Sequence, residues 1–97
     1  MDIWQDMKQF KANRKGPMQI GDLVLLNQDK YNNDYTQAKE WVKDTYIYAE
    51  VDEYARMEIV RIDYNLRDGN LVPFLKLKAP NGRVSNFWLD SRFFNKI

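Results

Sequence analysis

From Tyr54 to Ile97 the chain alternates apolar and polar side chains in runs of strand length, and turn-forming residues separate those runs. Period-two patterning sends successive side chains to opposite faces, so this stretch is constrained to antiparallel strands curled around one apolar face. Residues 54–64 (YARMEIVRIDY) form one strand, in which Met57 and Ile59 share one parity and Val60 and Ile62 the other. A bulge near Ile59 and Val60 reconciles the two. Residues 66–70 supply a turn, and residues 71–78 a strand with Leu71, Leu75 and Leu77 on one face and Lys76 and Lys78 on the other. Pro80-Asn81-Gly82 closes a hairpin, because Asn and Gly accept the positive φ angles such turns require. Residues 84–89 return as a further strand, Asp90-Ser91-Arg92 suits one tight helical turn, and residues 93–97 make a short closing strand.

The first half of the chain is less regular. Residues 2–13 read as a helix: Asp2 can cap it, and Ile3, Trp4, Met7 and Phe10 recur at helical spacing until Gly16-Pro17 stops it. Residues 20–27 (IGDLVLLN) join a Gly-Asp turn to a compact apolar strand. An excursion over 28–53 follows, in which residues 36–44 (TQAKEWVKD) make about two helical turns. The β-branched and aromatic residues of 45–51 (TYIYAEV) favour a strand or extended arm. The organisation is a single domain over 1–97, with an N-terminal helix over 1–16 and the β unit over 18–97.

Composition removes whole classes of function. The chain has neither Cys nor His, so thiol nucleophiles, disulfides, zinc-thiolate sites and imidazole catalysis are all excluded. The longest apolar run, Leu23-Val24-Leu25-Leu26, is far below the roughly 20 residues that cross a bilayer. The N-terminus lacks the continuous apolar region of a secretion signal, so a cytoplasmic location is expected. Residues 29–40 place Asp29, Asn33 and Glu40 as in a calcium loop, but Tyr31 replaces an oxygen ligand and Asp34 the turn glycine. No metal and no cofactor is expected. Asp52, Glu53, Glu58 and Asp63 are the only carboxylates suited to metal-assisted hydrolysis, and strand parity separates them. The chain therefore reads as no enzyme.

A strand opening on Gly-Asp, a long excursion, a three-strand meander, a one-turn helix and a short last strand form an order that resembles the small Src-homology-3-like barrel. Ile20-Gly-Asp-Leu-Val-Leu-Leu26 and Asn81-Gly-Arg-Val-Ser-Asn-Phe-Trp-Leu-Asp-Ser-Arg92 most resemble the C-terminal barrel of retroelement integrases, and more loosely Tudor-type domains. The resemblance implies a mainly β (α+β) fold, a five-stranded barrel with an N-terminal helix and an insertion after the first strand. It also implies a non-catalytic module that binds nucleic acid, peptides or proteins.

Net charge is +1, but it is polarised: residues 67–97 carry six bases and two acids, while 17–50 carry three bases and six acids. A nucleic-acid surface is expected from Lys76, Lys78, Arg83, Arg92 and Lys96 with Trp88, Phe87 or Tyr64 as a stacking ring, since cations replace condensed counterions and flat rings stack on bases. The bland alternative makes the lysines a solvated strand face and the aromatics core. Tyr35, Trp41, Tyr46 and Tyr48 in the acidic excursion are the candidate partner-binding residues, because Tyr and Trp give large contact area with few rotors. Nucleic acid ranks first as ligand. The alternative is a small protein-binding regulator or inhibitor of viral or phage accessory type. No membrane partner is expected, and oligomeric state is left open.

Overall fold

A computed structural model of the protein describes residues 17–97. The helix expected over 2–13 lies outside the described residues. The chain order is β1 (Leu23–Leu26), α1 (Gln28–Asn32), α2 (Gln37–Ala49), β2 (Met57–Arg67), β3 (Asn70–Lys78), β4 (Leu89–Asp90), a 3-10 turn (Ser91–Phe93) and β5 (Phe94–Lys96). The fold is of the α+β class, with its five strands in one antiparallel sheet of order β4-β3-β2-β1-β5.

The expected bulge is present: the β2–β3 register shifts between Ile59 and Arg61. Its effect is to keep apolar side chains on one face, with Met57 and Ile59 before the shift and Ile62 opposite Leu75 after it. At the far end Asp68 (φ 53) and Gly69 (φ 80) both take positive φ between the paired Arg67 and Asn70, which is the two-residue turn that matches strand twist. Val24, Val42, Met57, Ile59, Leu75, Leu77, Leu89 and Phe93 form the fully buried centre.

Three expectations are corrected. Residues 45–51 are not a strand: α2 runs on to Ala49, because Val42, Thr45, Tyr46 and Ala49 continue one buried helical face. Glu50 then ends the helix in the left-handed conformation (φ 56). Local β preference yields there to packing. Residues 84–89 do not run as a full strand either; a single bridge joins Lys78 to Val84, and β4 is only Leu89–Asp90. The cause is Ser85, whose N–H donates to Leu77 O (2.8 Å) while its hydroxyl oxygen accepts the Leu77 N–H (3.0 Å) in place of its carbonyl. Finally, the sheet is not closed into a barrel. Its edge strands β4 and β5 are joined by three residues that advance only about 6 Å, so the sheet curls strongly. Yet Phe93 fills the seam, and its carbonyl accepts from Asn27 N–H (2.7 Å), one step beyond the Leu26–Phe94 pair of the β1–β5 ladder, rather than from β4.

Asp34 sets the entry to α2. Its buried carboxylate accepts from Thr36 N–H (2.8 Å), the Thr36 hydroxyl and Lys30 Nζ (2.9 Å). Burial pushes its pKa up, but the Thr36 hydroxyl, Lys30 and the Thr36 N–H outweigh that and hold it at about 2. A carboxylate with a depressed folded pKa stabilises fully above its unfolded value, and the gain is lost as pH falls through the folded one. Acidification from about pH 5 to about pH 2 should therefore remove about 1–2 kcal/mol of stability through this group. In urea titrations Asp34→Asn should be less stable at neutral pH and lose less on acidification; an unchanged acid response would refute the assignment.

Candidate binding surface between α2 and the 79–88 loop

The connection from β3 to β4 is stapled to the end of α2. A tight turn forms through Gly82 N–H to Ala79 O (2.9 Å), Ala79 N–H to Arg83 O (2.8 Å) and Arg83 N–H to Asn81 Oδ1 (3.0 Å). From that turn the Asn81 amide donates to Ala49 O (2.6 Å) and Arg83 Nη1 to Tyr48 O (2.7 Å). These are final carbonyls of α2, which lack partners within the helix and sit at its negative end, so an amide and a cation both suit them. Glu50 lies 3.6 Å from the same guanidinium, which also covers the Tyr48 ring at 5.5 Å.

Aromatic rings lie along this connection in separate contacts. Trp41 and Tyr48, seven residues apart, share one side of α2, and Trp41 stacks on Phe87 of the loop at 5.8 Å and 16°. Ser85 fixes that loop by donating to Phe87 O (3.1 Å). Lys76 Nζ reaches from β3 to Asn86 O (2.7 Å) and Ser85 O (3.3 Å) and lies 5.4 Å over the Trp88 ring. Trp41 and Trp88 each remain 36% exposed and Tyr48 46%. Beside them runs an open groove of about 300 Å³, lined by Val60, Arg61, Lys76, Val84 and Ser85. Arg61 pairs directly with Lys76 across the β2–β3 ladder, and Lys78 follows on the same face opposite Glu58.

The two sets of residues expected from sequence are thus redistributed. Arg83 from the basic set meets Tyr48 from the aromatic set, whereas Lys76 pairs with the Trp88 ring on the face of β3 opposite Leu75 and Leu77, with Lys78 beside it. Arg92 is elsewhere, held by Asp90 at 2.7 Å and Asp68 at 3.4 Å, and Lys96 on β5 reaches Asp22 at 3.3 Å. Tyr35 stands 88% exposed in the turn between α1 and α2, with Lys39 Nζ 5.5 Å from its ring. Tyr46 is turned into the core, where burial raises the pKa of its phenol and its hydroxyl has no partner among the described residues. Phe87, expected as a stacking ring, stacks on Trp41, while Arg61 was not expected at this surface; its signal was the bulge, which flips parity and aligns it with Lys76.

Among the described residues no group of three acidic side chains could hold a metal ion, and no helix is long and apolar enough to cross a membrane. No protein-family model matches the chain, and no curated protein or solved structure is similar to it.

Proposed function

We propose that the chain is a non-enzymatic binding module whose ligand is a protein, held by the rings Trp41 and Tyr48 of α2 and Phe87 and Trp88 of the 79–88 loop. The observation that carries this reading is the pair of half-exposed tryptophans, each already fixed by a stack or a cation. Rings held in place lose little freedom on binding, and such aromatics dominate interface energetics. Lys76 and Arg83 frame the rings with positive charge, which favours a partner segment carrying acidic residues. The one-turn helix before the last strand and the antiparallel neighbour order support reading the curled sheet as a relative of Src-homology-3-like barrels with its seam open. Such a module acts by occupying another protein rather than by chemistry.

The test is affinity capture from native cells, with and without nuclease, using wild type and the double variant W41A/W88A. A partner should survive nuclease and be lost from the variant, whose urea midpoint should stay close to wild type, as both rings are partly solvated. A partner released by nuclease, or retained by the variant, would reject the proposal. A second reading, single-stranded nucleic acid, is favoured by one observation, the row Arg61, Lys76 and Lys78 along the groove. Three phosphate contacts there predict affinity falling with log salt at a slope of about −2; salt-insensitive binding would remove it.

A further inference from the structure

The β2–β3 hairpin outruns the rest of the sheet. β1 pairs with Glu58 and Met57, and the last bonds to β2 come from the residues just before β1: Gly21 N–H to Ile59 O (2.8 Å) and Asp22 O accepting Ile59 N–H (2.9 Å). Beyond Ile59, among the described residues, nothing pairs with the outer edge of β2 over 60–67. The apolar stripe that makes the core continues along this arm. Ile62 still packs on the core, but Tyr64 is 55%, Leu66 64% and Leu71 70% exposed.

Which backbone groups face outward follows from the turn. In a two-residue hairpin the closing pair Arg67–Asn70 is hydrogen-bonded, so by alternation Asn65–Val72 and Asp63–Phe74 are too. Leu66–Leu71, Tyr64–Pro73 and Ile62–Leu75 are then the pairs whose N–H and C=O groups point away from each other. Pro73, which has no N–H, fits such a position and blunts the outer edge of β3. On the β2 side the outward groups are covered only by neighbouring side chains: Tyr64 N–H donates to Asp63 Oδ1 (3.0 Å), and Leu66 O accepts from Arg67 Nη1 (2.9 Å).

We propose that this edge is a self-association site, at which β2 of a second copy adds antiparallel with Asn65 on the two-fold axis. A ladder requires outward residues to face outward residues, which leaves few symmetric registers. Centring on Asp63 sets that carboxylate against itself, and centring on Tyr64 sets Arg61 against Arg67 of the second copy. Centring on Asn65 sets Asp63 against Arg67 twice, and Tyr64 against Leu66 twice. In that register the Tyr64 N–H and the Leu66 C=O, covered by Asp63 and Arg67 in the single chain, become each other's partners between copies. The displaced carboxylate and guanidinium then face one another on adjacent strands. The dimer carries two copies of the aromatic surface described above, and so binds a bivalent partner by avidity.

Sedimentation equilibrium tests this directly. Wild type should dimerise reversibly at concentrations up to about 1 mM, as expected for a short strand edge of small area. Asp63→Arg and Arg67→Asp should each weaken association about tenfold or more, because each replaces two opposite-charge pairs by like charges. An equimolar mixture of the two single variants should restore it, since every cross-strand pair is again of opposite charge. Leu66→Pro, which removes an outward N–H that β3 does not use, should abolish it. A wild-type monomer throughout that range would overturn the proposal. So would a dimer indifferent to the single substitutions, or a mixture that associates no better than its components.

Discussion

Replacing Phe93 by alanine is expected to cost about 3–5 kcal/mol, a large share of the roughly 5–15 kcal/mol that holds a domain of this size. Phe93 is 1% exposed and sits in the 3-10 turn that joins the two edges of the sheet. Its ring belongs to the same buried cluster as Leu26, Met57 and Leu75, and Lys30 Nζ covers it at 5.1 Å. Truncation leaves a cavity at the seam of a sheet with no β4–β5 ladder to hold it shut, so collapse around the void is limited by the three-residue connection. Guanidinium denaturation should show a large fall in midpoint with little change in slope. A loss below about 1 kcal/mol would mean that the seam is not a packed part of the core.

Ser85→Ala is expected to cost about 1–3 kcal/mol, and to disable the binding surface beyond what that loss explains. Ser85 is buried, and its hydroxyl links the Leu77 N–H to the Phe87 carbonyl. Alanine leaves the Leu77 donor without its acceptor in the least solvated part of β3, which is the source of the energetic cost. The same change frees Phe87 from its tether, and with it one ring of the Trp41–Phe87 stack. Near-ultraviolet dichroism from the tryptophans should fall while the far-ultraviolet spectrum is kept, and partner affinity should drop more steeply than stability. An unchanged near-ultraviolet signal would show that Ser85 does not order the loop.

Features written in local chemistry were legible in the sequence. The Asp68-Gly69 turn needs two positive φ angles, the clash of parities around Ile59 and Val60 needs an extra residue, and the compact apolar run after Gly21-Asp22 has strand length. Each leaves a pattern within a few residues. Residues 45–51 misled because Tyr46 and Ile47 favour strands locally, whereas the helical repeat that claims them begins at Ala38 and Val42. Residues 84–89 misled because one serine side chain replaced a backbone acceptor, an event with no periodic signature. The candidate site was half legible. Counting bases located Lys76, Lys78 and Arg83, but not the acids that engage Arg92 and Lys96: Asp90 is two residues from Arg92, while Asp68 and Asp22 come from distant parts of the chain. Those ion pairs lower the net charge available for phosphates and shift the balance toward a protein ligand. The union of Trp41 and Tyr48 with the loop rests on Asn81 and Arg83 capping α2, contacts more than thirty positions apart in sequence.

Site-specific photo-crosslinking in the native cell addresses the recognition surface most directly, with the photoreactive residue placed at Trp88 in one variant and at the exposed Tyr54 in another. Position 88 should yield a discrete protein adduct that resists nuclease, and position 54 should not yield it. A nuclease-sensitive adduct at position 88, or the same protein captured equally from both positions, would contradict the account.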